Sequence, residues 1–223
     1  MKALIFFILI AAGSFSSWKI SYEFPYQKNY LYVPPPRGME HFAFGYKPVL
    51  ADMLWIRAIQ DFAVCEYKLD PDNKTEKECN KSWLYQMLDR LTDLAPKFRF
   101  AYSLGASSLS VFVEDKEGAT ALFDKGVLNF PKDWIIPYRA AYHAIYETKD
   151  TSKAAQMLEL AAKNGAPPWT YSLAARLYTE SGKKELGETI IQQMIERGEP
   201  KELIERTREK VDKAAKADES SKL

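Results

Sequence analysis

Apolar residues recur at helical spacing through most of this chain, and the recurrence breaks at regular places. From Gly45 to Phe62 the stretch GYKPVLADMLWIRAIQDF carries two ridges of apolar positions four apart, Leu50, Leu54, Ala58 and Phe62 on one and Ala51, Trp55, Ile59 and Ala63 on the other. That pattern predicts a helix with a broad buried face. Pro48 suits its first turn, Asp52 lies towards the positive end of the helix dipole, and Arg57 stands four residues before Asp61, a spacing that pairs charges on one helix face. After a polar stretch, Leu84, Leu88 and Leu91 make a second stripe, predicting a helix over residues 81–95 that packs on the first. Prolines then recur at Pro96, Pro131, Pro167 and Pro200, spaced by 35, 36 and 33 residues, each just after a helical pattern.

Between the prolines lie similar two-helix units. Tyr102, Leu104, Gly105 and Leu109 mark one first helix, and Ala119, Leu122, Phe123 and Gly126 its partner, with small residues where two helices approach closely. Tyr138, Ala141, Tyr142 and Ile145 are followed by Ala154, Leu158 and Ala161. Trp169, Leu173, Leu177 and Tyr178 are followed by Leu186, Ile190, Ile191 and Met194. Polar turns fall between the partners at residues 114–118, 147–152 and 180–184. Four helix pairs result over residues 47–200. A narrow stripe of Leu203, Ile204 and Val211 among charges predicts a polar capping helix from Lys201, with a disordered tail from Lys216.

Trp55, Ala58, Ile59 and Phe62 fall on the W-x2-L-G-x2-Y spacing of the first helix of a tetratricopeptide repeat, and the helix-ending prolines keep that repeat's period. Residues 48–200 therefore resemble the tetratricopeptide repeat superfamily. The stretch YLYVPPP followed by the LADMLWIRAIQ helix is similar to a group of bacterial envelope proteins of that superfamily with a short N-terminal hydrophobic segment. The resemblance implies an all-α, right-handed superhelix of about four antiparallel helix pairs with a C-terminal cap. It also implies a bacterial origin and a periplasmic face, and it brings no catalytic residue.

The N-terminus fits that compartment. Lys2 precedes the apolar block Ala3 to Ala12, and small residues follow it, the order of an export signal. Residues 1–17 are read as such a signal, either cleaved or retained as an anchor in the inner membrane. Residues 18–46, with Pro34, Pro35 and Pro36 and scattered aromatics, read as an extended connector. The two cysteines, Cys65 and Cys79, flank a polar loop, and an even count after an export signal points to a disulfide across it. Closing about 15 residues in that way stabilises by roughly 3 kcal/mol in the chain-entropy model. The alternatives are a metal pair, which lacks a third and fourth ligand, and two inert thiols.

Charge narrows the partner. Lys and Arg number 31 and Asp and Glu 30, interleaved along the chain, so nothing favours nucleic acid. The chemistry of catalysis is thin. The only histidines, His41 and His143, have no Cys or carboxylate at ligand spacing, and Gly105–Ser110, GASSLS, lacks the second glycine of a nucleophile elbow. No catalytic residue, metal or cofactor is expected. Stacked helix pairs present a groove lined by the first helix of each unit, and such grooves bind protein segments. Register places Tyr102, Tyr138, Arg139, Tyr142, His143, Tyr171 and Arg176 on that wall, and aromatic and Arg side chains make binding hot spots. The expected function is a non-enzymatic scaffold on the periplasmic side of the inner membrane, holding a protein or peptide segment of an envelope assembly. The alternative is a small-molecule or glycan-binding module using the same aromatic groove.

Overall fold

A computed structural model of the chain describes residues 13–16, 19, 35–67 and 81–221, with side chains placed for all of these except 61–67, 81–82 and 217–221. Two compact units separate at residues 33 and 34, and the elements below belong to the second. Regular structure among the described residues is entirely helical. After a short turn at Met39–His41 come α1 (Lys47–Tyr67) and α2 (Lys81–Leu94). Helix α3 begins as a wide turn, Ala101–Gly105, and continues as Ala106–Val111; α4 is Lys116–Asn129. Helix α5, Ile135–His143, runs on into a second wide turn, Ala144–Thr148, and is followed by α6 (Thr151–Lys163), α7 (Trp169–Glu180), α8 (Lys184–Glu196) and α9 (Lys201–Ser221). The wide turns close with backbone bonds from Ala106 N–H to the Ala101 carbonyl and from Lys149 N–H to the Ala144 carbonyl, one residue longer than the α-helical step.

The same punctuation recurs in the three later pairs. The first helix of a pair ends at a residue with positive φ, Glu114 (59°), Lys149 (58°) and Gly182 (77°). The next residue opens the partner helix. Asp115 and Asp150 do so by accepting the backbone N–H of Gly118 and of Lys153, both at 2.8 Å, which satisfies donors that the helix start would leave open. Lys183 occupies the corresponding place in the last pair without a side-chain cap.

Each helix packs on the next, and α2 also meets α4, α3 meets α5, and α7 meets α9. This neighbour-and-next-neighbour pattern is that of stacked pairs. Small residues set the spacing. Ala141, Ala144, Ala154, Ala155, Ala162, Ala174 and Ala175 are buried around Leu158, Ile190 and Met194. At Gly126 a Cβ would lie 2.7 Å from Cβ of Tyr102 and 3.1 Å from Ile136, so α4 touches α3 and α5 there through its backbone.

Polar groups tie one pair to the next. Arg99, at the start of α3, grips both carboxylate oxygens of Asp133. Asp133 Oδ1 also accepts the N–H groups of Ile135 at 2.7 Å and Ile136 at 3.2 Å, capping α5. Burial works against the charged form of Asp133, yet the Arg99 guanidinium and these two N–H groups hold its pKa below the ordinary value. Lys125 on α4 likewise reaches Asp89 at 2.8 Å and Asp93 at 2.7 Å on α2.

Two expectations change. Ile59, placed by periodicity on a buried ridge of α1, is 46% exposed, because the packing of α1 on α2 is carried by Ala51, Leu54 and Ala58. The chain expected as a tail from Lys216 continues as helix to Ser221, in keeping with the helix-forming Lys, Ala and Glu in it. Arg57 lies over the Trp83 ring, 5.9 Å from its centroid, while the side chain of Asp61, its expected partner, lies outside the described residues. Cys79 and the side chain of Cys65 lie outside the described residues, as does the apolar block Ala3 to Ala12. No helix among the described residues is long and apolar enough to cross a membrane.

Two substitutions test this packing. Asp133→Ala removes a cap and an inter-unit ion pair together and should cost about 2 kcal/mol in urea unfolding, more than Asp150→Ala, which removes a cap alone. Because its folded pKa is depressed, the Asp133 contribution is present above the ordinary value of 3.8 and is lost as pH falls through the folded value, so the gap between wild type and variant should shrink below pH 3.8. Gly126→Ala should lower stability by about 1–3 kcal/mol through overpacking against Tyr102, read as a lower urea midpoint at unchanged slope.

Candidate functional site

The first helices α3 and α5 face each other across a cavity of about 450 Å³. Helix α5 supplies two adjacent ridges with a four-residue step. Tyr138, Tyr142 and Tyr146 form one, and Arg139, His143 and Glu147 the other. Ser107, Ser110 and Val111 of α3 make the opposite wall, and Phe123 of α4 reaches in from below.

The tyrosine ridge is a continuous aromatic ladder. Ring centroids lie 5.8 Å apart for Trp134 and Tyr138, 4.9 Å for Tyr138 and Tyr142, and 5.8 Å for Tyr142 and Tyr146. Trp169 of α7 adds an edge contact to Tyr138 at 5.9 Å. The Tyr138 hydroxyl donates to the Tyr142 oxygen at 3.1 Å. Burial first, and then this bond to Tyr142, push the Tyr138 pKa up to about 12, so it stays a neutral donor.

At the cavity floor, hydrogen bonds assign the state of His143. Thr120 Oγ1 gives its proton to the Lys116 carbonyl at 2.8 Å, so towards His143 Nε2, 2.8 Å away, it can only accept. His143 therefore carries its proton on Nε2. Nδ1 is then an acceptor, and the Ser110 hydroxyl donates to it across 2.6 Å. Both Ser110 and His143 are buried. Burial is the largest influence on the imidazole and holds its pKa below the ordinary value of 6.5, against the Lys116 carbonyl and Glu147, which act to raise it. Phe123 packs against the ring at 5.7 Å.

A serine hydroxyl on a neutral imidazole is half of a nucleophile–base arrangement. Here the other imidazole nitrogen meets a threonine rather than a carboxylate, and Ser110 sits inside α3, where backbone N–H groups serve the helix. The orienting carboxylate and free N–H pair of acyl transfer are not assembled around it among the described residues. No cluster of three or more His, Cys, Asp or Glu fit to hold a metal occurs there either.

Of the residues expected on the groove wall, Tyr138, Arg139, Tyr142 and His143 come together at this cavity. Tyr102 does not. It is fully buried, with its hydroxyl donating to the Pro96 carbonyl at 3.2 Å and its ring against Phe130. It stands within the wide turn of α3, whose extra residue re-aims side chains relative to a regular helix. Tyr171, 1% exposed, is packed in the core under the Arg197 guanidinium. Arg176 lies on α7, 3.2 Å from Glu180 one turn on. Periodicity alone overlooked Ser107, Ser110, Thr120, Phe123, Tyr146 and Glu147. The signal for Ser110 was available, since it precedes His143 by 33 residues, one repeat.

No family model, curated protein or solved structure matches this chain.

The floor makes a testable claim. His143→Leu leaves the buried Ser110 hydroxyl without its acceptor and should cost about 1–3 kcal/mol, part of which Ser110→Ala in the same chain should restore. Since the folded pKa of His143 is depressed, the unfolded chain takes up the proton first. Wild type should therefore lose stability as pH falls below 6.5. In His143→Leu, urea midpoints measured at pH 7.5 and 5.5 should differ less.

Proposed function

We propose that this protein is a tetratricopeptide-like scaffold that holds a segment of a partner protein against its row of first helices, at the cavity between α3 and α5. The observation that carries this reading is the convergence of Tyr138, Arg139 and Tyr142 at one concave site. Tyrosine and arginine are the residues that concentrate binding energy at protein interfaces, and a concave apolar site with few polar groups suits a single anchoring side chain. In this reading the stacked pairs form a right-handed superhelix, and no chemistry is performed on the partner. The export-type sequence of the first residues supports a place on the periplasmic side of a bacterial inner membrane, in an envelope assembly.

A photo-crosslinking amino acid at position 142, in the chain produced in its own host, should trap one partner protein. The same probe at Gln156, exposed on α6, should not. The partner segment identified by mass spectrometry, made as a synthetic peptide, should compete with the adduct, and Arg139→Ala should weaken it. Equal labelling from the two positions would overturn the proposal. Competition by peptidoglycan fragments or sugars, with no effect of the peptide, would replace it with the glycan-binding reading.

A further inference from the structure

The mouth of the cavity offers hydrogen-bond donors and almost no free acceptors. Among the described residues Arg139 has one hydrogen bond, from Nη1 to Ser107 Oγ at the long distance of 3.5 Å, and no carboxylate within ion-pair range. Ser107 spends its own proton on the Ser103 carbonyl at 2.7 Å, so it only accepts from Arg139. Tyr142 accepts the hydrogen bond from the Tyr138 hydroxyl and keeps its own O–H to donate elsewhere.

The other polar groups of the site are already committed. Glu147, the one acid on the lining, faces Lys116, which is 3.5 Å from its carboxylate and donates to its carbonyl at 2.9 Å. Ser110 and Thr120 are bound to the neutral His143. What is left over is the positive charge of Arg139 and the hydroxyls of Tyr142 and Tyr146, beside an apolar hollow walled by Val111, Phe123 and tyrosine rings.

Resting on the reading of this cavity as the docking site, we infer that its occupant is an internal partner segment in which an Asp or Glu side chain stands next to a large apolar residue. The apolar side chain fills the hollow, and the carboxylate lies across Arg139 and accepts from Tyr142. A guanidinium takes a carboxylate through two parallel bonds, which are about twice as strong as neutral ones. A basic segment would bring like charge to Arg139 and is rejected.

Selection from random dodecamers displayed with a blocked C-terminus on the intact protein tests this, since only side-chain carboxylates are then presented. Wild type should enrich peptides with Asp or Glu within two positions of Phe, Tyr, Leu or Met. Arg139→Glu should enrich Lys or Arg at the same place. Arg139→Gln should weaken a wild-type-selected peptide about tenfold or more, and Tyr142→Phe a few-fold. Circular dichroism confirms that each variant is folded. Apolar peptides without an acidic bias, enriched equally by wild type and Arg139→Glu and crosslinking at position 142, would sink the inference and leave the docking reading standing. No enrichment over the starting pool would remove both, and binding restricted to peptides with a free C-terminal carboxylate would overturn the side-chain assignment.

Discussion

The structure depends on polar bridges that span one repeat. Lys97 donates to the Asn129 carbonyl, Arg99 grips Asp133, Lys116 reaches the Glu147 carbonyl, Asn164 the Pro131 carbonyl and Lys183 the Ser152 hydroxyl, over sequence separations of 31–34 residues. Partly exposed contacts of this kind stabilise little one by one. Their importance is directional. Apolar packing between alanine-rich helices tolerates sliding, because the hydrophobic effect has no preferred angle, whereas a bidentate pair or a donor on one carbonyl does not. The bridges therefore set the register of each pair on the next. The Ser110–His143 bond, with a separation of 33, belongs to the same set and is its buried member. Ser110 and His143 also line the cavity.

How much of this was legible in the sequence follows from which forces are periodic. The helix pairs are, because their stripes and turns repeat: helix 47–67, expected from Leu50, Leu54 and Ala58, is paired with 81–94, expected from Leu84, Leu88 and Leu91, and the three later turns fall at Glu114, Lys149 and Gly182. Four residues at the cavity were legible for the same reason, since Tyr138, Arg139, Tyr142 and His143 share one stretch of regular helix. The opposite wall was not. Ser107 and Ser110 look like small packing residues in any one-helix reading, and their partners lie a repeat away.

The ends of the array show where periodicity misleads. A stripe that is apolar reads as buried, but burial needs a neighbour. Helix α9 closes one end with a charged outer face, exposing Lys201, Glu202, Glu205, Arg206, Arg208 and Glu209, as a terminal unit requires. Helix α1 exposes Val49, Met53, Ile56 and Ile59 instead. Its inner residues Ala51, Leu54 and Ala58 carry the packing on α2. The apolar count along α1 was thus right and its geometry was only half of what the count suggested, since its exposed side mixes these apolar residues with Asp52, Arg57 and Gln60.

The two wide turns explain why one groove became one site. In α3 the turn comes first, so Tyr102 is turned into the core and the wall of the cavity is left to the small side chains of Ser107 and Ser110. In α5 it comes last, so Arg139 and His143 stay on one regular ridge while Tyr146 and Glu147 are placed by the widened step that follows them. Both turns insert a residue without breaking the helix, at the cost of poorer hydrogen-bond geometry, and neither changes the apolar pattern from which register is inferred. Large side chains on one helix then face small ones on the other. That mismatch is what opens the space: had Tyr102 and Tyr138 occupied equivalent places, as their sequence positions suggested, an aromatic from each helix would meet in the middle and fill it. The cavity thus lies between a helix whose wide turn precedes its lining residues and one whose wide turn carries the last two of them, Tyr146 and Glu147, with Arg139 on the regular stretch before it.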